Sequence, residues 1–263
     1  MNQQKQATQR LPVGDFSRAL RGDIKLAVGA SLQRSWDITV RALPLMLTAL
    51  AVVIAINLLL QGLFNQWIPV DPEQPNLRNQ VLQGLIGMLV MSPLVAYLSY
   101  AGLLNARDEK PLWSHWQWVL GAAQRVIAVT AIQAVLMVII VSVIIVLQLA
   151  LGLPLGLVMA LLFVALAYLQ LSLILAVPLV LDQQLTAVRA CIGSWLVVSK
   201  VSFPLMTLFG LMLTILFISA LPLMLGLLFT VPMLFNLTGV VYDQLIGPKT
   251  GPALAVVEDD HVA

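Results

Sequence analysis

The sequence predicts an all-α integral membrane protein with six transmembrane helices in three pseudo-repeated hairpins, each preceded by a cytoplasmic interfacial helix. Hydrophobic residues make up 60% of the 263 residues and charged residues only 10%, against about 25% in a soluble domain. About 20 apolar residues cross the hydrocarbon core as a helix, so the chain between Arg41 and Asp243 has room for roughly six spans. A proline-bearing pattern also recurs along the chain.

The N-terminal part is predicted to lie outside the hydrocarbon core. Residues 1–14 are polar and lack hydrophobic periodicity, which predicts a flexible tail. In residues 15–41 the apolar positions recur at helical spacing, and Arg34 and Arg41 lie on another face. This pattern is typical of an amphipathic helix in the membrane interface, which Gly29 is expected to bend or divide.

Residues 42–247 form the predicted six-helix transmembrane domain, and residues 248–263, with an acidic cluster, a flexible C-terminal tail. A capping box at Ser114 predicts the start of the second interfacial helix, and Asp182 is expected to cap the third. The predicted spans are residues 43–63, 81–104, 126–151, a fourth ending at 181, 201–221 and a sixth ending near 242.

The basic residues predict the orientation. With the odd-numbered turns outside, Arg78 is the single Lys or Arg residue there, and the other thirteen fall on the inner side. This asymmetry predicts cytoplasmic N- and C-termini in a cytoplasmic (inner) membrane. Seven residues are expected at the inner interface, in contact with lipid headgroups: Arg34, Trp36, Arg41, Trp113, Trp116, Trp118 and Trp195.

Each even-numbered span contains a proline that is flanked by similar residues. Ser35-Trp36 before the first span also resembles Ser194-Trp195 before the fifth. One interpretation is that the prolines kink their helices and so pack three hairpins around a shared axis, because neighbouring groups can satisfy the freed carbonyls. Alternatively, each proline ends its helix near the inner interface. The prolines concerned are Pro93, Pro178 and Pro232.

The order Pro178, Asp182, Ala187 and Ser194, followed by a basic residue before a new span, resembles the YciC-like inner-membrane proteins of bacteria. The resemblance covers roughly residues 80–246. It implies six spans in a bacterial inner membrane, and it supplies no catalytic residue because the family has no established activity. The long periplasmic loop of some relatives is short in this chain.

The sequence offers no candidate catalytic, metal or cofactor site. His115 and His261 have no Cys, Asp or Glu partner at metal-ligand spacing, and Cys191, the single cysteine, is expected to be a packing residue. No ionisable residue lies inside the predicted spans, which argues against proton or sodium coupling. Nucleic acid is not expected as a partner, because the positive-inside rule explains the basic residues.

Polar residues within the spans have two interpretations. They are hydrogen-bonding groups between helices, or they line a polar cavity for an amphipathic substrate. The candidates for such a cavity are Gln133, Tyr168, Gln170, Ser172 and Asn236.

Two functions remain open at this point. The first is a non-enzymatic inner-membrane protein that supports envelope assembly or homeostasis, or binds a membrane-protein partner or a second copy of itself. The second is a transporter or lipid-handling protein for an amphipathic or uncharged substrate, without intramembrane ion coupling. Membrane lipids are expected partners in both.

Overall fold

The computed structural model describes residues 12–70, 76–221 and 224–248, which form helices and no strand. The all-α prediction is therefore confirmed. In chain order the helices are α1 (Phe16–Arg21), α2 (Val28–Trp67), α3 (Leu77–Ala106), α4 (His115–Gly121), α5 (Ala123–Leu151), α6 (Leu155–Ser172), α7 (Ala176–Asp182), α8 (Ala187–Lys200), α9 (Ser202–Ala220) and α10 (Leu227–Leu245).

Five helical segments among the described residues are long and apolar enough to cross a membrane: α2, α3, α5, α6 with α7, and α9. This is the pattern of a multi-pass membrane protein. The sixth predicted span corresponds to α10, which has 19 residues and packs mainly against α3 and α2. The arrangement of six spans in three hairpins stays a prediction.

The stretch 15–41, expected to be one interfacial helix, is divided at Gly22 rather than at Gly29. Gly22 ends α1 with a φ of 83°, the left-handed conformation that glycine adopts without steric cost. Gly29 lies inside α2, which continues past Arg41 to Trp67. The interfacial segment and the first span are therefore one helix of 40 residues, about 60 Å long and about twice the thickness of the hydrocarbon core.

Two expected helix caps are not formed. Ser114 precedes α4, but its backbone is already helical and its side chain makes no capping hydrogen bond. Asp182 is the last residue of α7, and the N-cap position of α8 is Thr186. The Asp182 carboxylate accepts hydrogen bonds from Arg107 instead. The Asp182 side chain, which the local sequence pattern predicted as a helix cap, thus forms a tertiary ion pair with Arg107.

The three repeated prolines do not end their helices. Pro93 and Pro232 lie inside α3 and α10, each of which continues for more than three turns beyond its proline. Pro178 lies in the first turn of α7, and the fourth predicted span is interrupted just before it, between Ser172 and Ala176. Because proline lacks an N–H and its ring clashes with the carbonyl four residues earlier, the interruption falls where Pro178 disfavours helix.

We call the contact of α10 with α2 and α3 the seam. Gly102 and Gly239 bring the backbones of α3 and α10 together, since a Cβ at either residue would collide with the backbone of the opposite helix. Asn236 lies between them and donates from Nδ2 to Thr39 Oγ1 (2.9 Å), while its Oδ1 accepts from Asn105 Nδ2 (3.0 Å). Small residues and interhelical amides of this kind associate helices in lipid.

The start of α2 and the ends of α3, α7 and α10 lie at the same end of the bundle, which we call the basic end because Arg34 and Arg107 lie there. The tails predicted for residues 1–14 and 248–263 lie largely outside the described residues. Gly14 is described, and its N–H donates to Asp243 O (2.9 Å), so this part of the predicted tail contacts α10.

Candidate functional site

A cavity, which we call the groove, lies between α3, α5, α6, α9 and α10. Its volume is about 1220 Å³, and it is partly open rather than enclosed. Small-molecule pockets typically measure about 300–1,000 Å³, so the groove has room for a larger ligand. Its walls are predominantly apolar and include Met88, Met91, Phe163, Met206, Phe209 and Phe235.

Three of the residues predicted to line a polar cavity line the groove. Gln133 of α5 donates from Nε2 to Gln170 Oε1 of α6, so the two amides form a pair that joins the helices. Tyr168 lies on the same wall with 45% of its surface exposed. The hydroxyls of Ser99 and Thr130 add further polar atoms. The groove therefore combines a large apolar surface with a few uncharged hydrogen-bonding groups.

The other two predicted cavity residues are not part of the groove. Asn236 is fully buried in the seam, where Asn105 and Thr39 satisfy its amide. Ser172 is 2% exposed at the end of α6, and its Oγ has no hydrogen-bond partner among the described residues. Of the two interpretations of the polar residues, the hydrogen bonds of Asn236 fit the one in which they join helices.

The interruption between α6 and α7 is closed by Ser194 of α8. Its Oγ donates to Ser172 O (2.7 Å) and accepts from Leu175 N–H (3.3 Å). Backbone groups freed at a broken helix need such partners, because they are costly to leave unpaired in lipid. The equivalent Ser35 of the repeat bonds only within its own helix, to Leu32 O (2.8 Å). The shared Ser-Trp pattern therefore does not produce the same contact twice.

At the basic end, Arg107 joins the ends of three helices. Its Nη1 and Nη2 donate to the two carboxylate oxygens of Asp182 (2.7 and 3.0 Å), and its Nε donates to Asp243 Oδ1 (3.1 Å). The hydroxyl of Tyr242 donates to Asp182 Oδ2 (2.9 Å). The charged side chains are only 10–19% exposed. We call these four residues the Arg107 cluster.

Burial alone would lower the pKa of Arg107, but the hydrogen bonds and charges of Asp182, followed by those of Asp243, outweigh it and raise the pKa above its usual value. The guanidinium therefore stays charged and holds α3, α7 and α10 together. The sequence patterns did not predict this cluster. A usable signal was present, because a charged residue stands near the end of each segment that carries one of the three repeated prolines: Arg107, Asp182 and Asp243.

The two arginines expected at lipid headgroups both pair with one carboxylate. Arg34 Nη2 lies 2.7 Å from Asp108 Oδ2, and Arg41 Nη2 lies 3.2 Å from Asp108 Oδ1. The Arg41 side chain is 59% exposed, whereas that of Arg34 is 15% exposed. Of the two, Arg41 has the greater access to a headgroup.

Of the tryptophans predicted at the inner interface, four expose about half of their surface. Trp113 stacks on Tyr97 with centroids 5.7 Å apart, and Trp116 meets the same ring edge-on at 5.8 Å. Trp118 Nε1 donates to Leu181 O (3.2 Å). The half-exposed rings are Trp36, Trp113, Trp118 and Trp195.

Among the described residues, no group of three or more His, Cys, Asp or Glu side chains is arranged to hold a metal ion. Cys191 is 7% exposed in α8, and burial raises the pKa of its thiol. A thiol with a raised pKa is a poor nucleophile at neutral pH, so its surroundings are those of a packing residue.

Comparisons of the chain with protein-family models, curated proteins and solved structures returned no match. The resemblance to the YciC-like proteins stays a prediction from the sequence.

Proposed function

We propose that this chain is a non-enzymatic, polytopic protein of the bacterial inner membrane that binds a lipid-like amphipathic molecule in the groove. The observation that carries the proposal is the groove itself. It lies between α10 and four helices, α3, α5, α6 and α9, that belong to segments apolar enough to span a membrane, and its walls are predominantly apolar. Acyl or isoprenoid chains are the ligands that such walls accept from the surrounding membrane, by dispersion contacts and apolar burial.

The topology is part of the proposal. We take α10 as the sixth span and pair the spans as the hairpins α2–α3, α5–α6/α7 and α9–α10. The two helices of each hairpin follow one another in the chain and are in contact, although α10 packs more extensively against α3 and α2 than against α9. The basic residues concentrated in the inner loops support cytoplasmic termini. The basic end of the bundle would then face the cytoplasm, with the groove at the depth of the hydrocarbon core.

Binding of a protein partner is the second candidate function. The half-exposed indoles of Trp36, Trp113, Trp118 and Trp195 favour it, because exposed aromatic rings are enriched at protein interfaces as well as at membrane surfaces. In this case the chain would act as a scaffold or subunit for envelope assembly, and the groove would hold either nothing or a helix of the partner.

The test is to purify the full-length protein in a mild detergent and to identify retained lipids and polypeptides by native mass spectrometry. Gly210 lines the groove, and a Cβ built on it meets no atom within 4 Å. Gly210→Trp should therefore fill the groove without disturbing the helices and should displace a bound lipid. We expect the native protein to retain lipid and the variant to lose most of it.

Gly62→Trp is the matched control. A Cβ at Gly62 also meets open space, but Gly62 lies on α2 and does not line the groove. This variant should retain lipid as the native protein does. Equal lipid retention in both tryptophan variants would refute lipid binding in the groove. A stoichiometric second polypeptide that Gly210→Trp releases and Gly62→Trp keeps would replace the lipid proposal with the partner function.

A further inference from the structure

We propose that the groove selects lipids whose polar end is uncharged and carries a hydroxyl or carbonyl oxygen, such as a diacylglycerol, and discriminates against phospholipids. This inference rests on the proposed function and adds the class of ligand. Three features of the groove support it. The amide pair has unused hydrogen-bonding groups, the lining residues are uncharged, and the amides lie far from the basic end.

The amide pair is incompletely satisfied. Each glutamine side chain offers one carbonyl oxygen and one NH₂ group. The bond between Gln133 and Gln170 uses one N–H and one oxygen. Whichever amide donates, one NH₂ group and one carbonyl oxygen remain on the groove wall. In an apolar medium such groups are costly to leave unpaired, so a ligand oxygen or hydroxyl that pairs with them is favoured.

None of the described residues that line the groove is charged. Apart from the amide pair, the polar side chains of the groove are the amide of Gln83 and hydroxyls, including those of Tyr168 and Thr130. The Arg107 guanidinium at the basic end does not line the groove and already donates to Asp182 and Asp243. A phosphate group drawn into the groove would therefore lose its hydration without gaining a cationic partner, which is strongly unfavourable in a low-dielectric site.

The position of the amides matters for the same reason. The start of α5 lies at the basic end, because Arg125 Nη1 donates to Gln184 O just after α7 (3.0 Å). Gln133 lies ten positions after Ala123, the first residue of α5, and hence about 15 Å along the helix from that end. A phospholipid headgroup stays at the membrane surface, so its acyl chain would cover the amide pair and leave it unpaired. A lipid with a small uncharged polar end can place that end at the depth of the amides.

The test compares two lipids that differ only in the charged group. Purified full-length protein in detergent is mixed with equimolar dioleoylglycerol and dioleoylphosphatidic acid, and the bound lipid is counted by native mass spectrometry. We expect the uncharged lipid to bind roughly tenfold or more tightly, given the cost of placing a charge at this depth. Equal binding, or tighter binding of phosphatidic acid, would overturn the inference and leave the proposed function standing.

Variants test whether the amide pair causes the preference for the uncharged lipid. Gln133→Leu combined with Gln170→Leu should reduce the preference to nearly onefold while the apolar walls still hold lipid, and Tyr168→Phe should reduce it less. A preference unchanged in the double variant would show that the amide pair does not select the ligand, and would refute the inference. If neither lipid binds, the inference is overturned. The proposed function falls with it only if retention of native lipid is also insensitive to Gly210→Trp.

Discussion

The seam and the groove share two helices, α3 and α10, but they differ in how completely their polar residues are hydrogen-bonded. In the seam, glycines bring α3 and α10 together, and the amide of Asn236 is satisfied on both sides by Asn105 and Thr39. In the groove, Gln133 and Gln170 pair only with each other and face an open volume of about 1220 Å³. Amides within apolar helices can therefore hold helices together or remain available to a ligand, depending on whether the neighbouring backbones close around them.

This difference has an energetic consequence. A group that is fully paired and buried contributes to stability, and its loss leaves partners unsatisfied. A group that faces an open groove contributes little to stability and is available for binding. Changes in the seam should consequently affect folding, whereas matched changes in the groove should affect ligand retention.

The largest effect on stability is expected from Arg107→Ala at the basic end of the seam. This change leaves Asp182 and Asp243 buried without their cation, and we expect it to lower the free energy of unfolding by about 3–5 kcal/mol. Unfolding in detergent, followed by circular dichroism, measures it. Arg41→Ala is the control and should cost about 0–1 kcal/mol, because its ion pair is exposed and Asp108 keeps Arg34. Similar losses for both variants would contradict a structural role for the Arg107 cluster.

An added methyl group should have opposite effects in the two regions. Gly102→Ala places a Cβ against the backbone of Phe235, so we expect a loss of about 1–3 kcal/mol from the forced separation of α3 and α10. A Cβ at Gly84, which lines the groove, meets no atom within 4 Å. Gly84→Ala should therefore stabilise α3 by about 0.5–1 kcal/mol. Thermal unfolding of the two variants checks the sign, and a loss in both would contradict the open wall at Gly84.

Replacing a single amide should cost more stability in the seam than in the groove. Asn236→Leu leaves Asn105 and Thr39 without a shared partner, and it should cost about 1–3 kcal/mol. Gln170→Leu also removes a bond, the one to Gln133, but the freed amide of Gln133 lies on the open groove wall, so we expect a smaller cost of about 0.5–1 kcal/mol. Unfolding midpoints of the two variants compare them directly. Equal destabilisation would mean that the groove amides also act as structural hydrogen bonds.

Several elements were predictable from the sequence because they depend on local properties of the chain. The apolar runs identified the long helices, since about 20 apolar residues suffice for a span whatever surrounds them. The boundary between α1 and α2 was missed because it depends on which of two glycines adopts a left-handed backbone, and both Gly22 and Gly29 lie in helical patterns. The cap expected at Asp182 does not form, because its carboxylate binds Arg107, which is distant in the sequence.

The site was predictable only in part. The sequence selected Gln133, Tyr168, Gln170 and Asn236 on equal terms, because all four are polar residues in apolar runs. Their packing separates the first three from Asn236, which is enclosed in the seam. The Arg107 cluster was missed because its charged residues, Arg107, Asp182 and Asp243, are far apart in the chain.

Composition and periodicity by themselves determined that this protein is helical and apolar enough for a membrane, since each of these properties is set by residues close together in the chain. Tertiary structure alone decided which polar groups are satisfied and which remain open to a ligand. The physical reason is that hydrogen-bond satisfaction depends on backbones brought together from distant parts of the chain, as Gly102 and Gly239 bring α3 and α10 together at the seam.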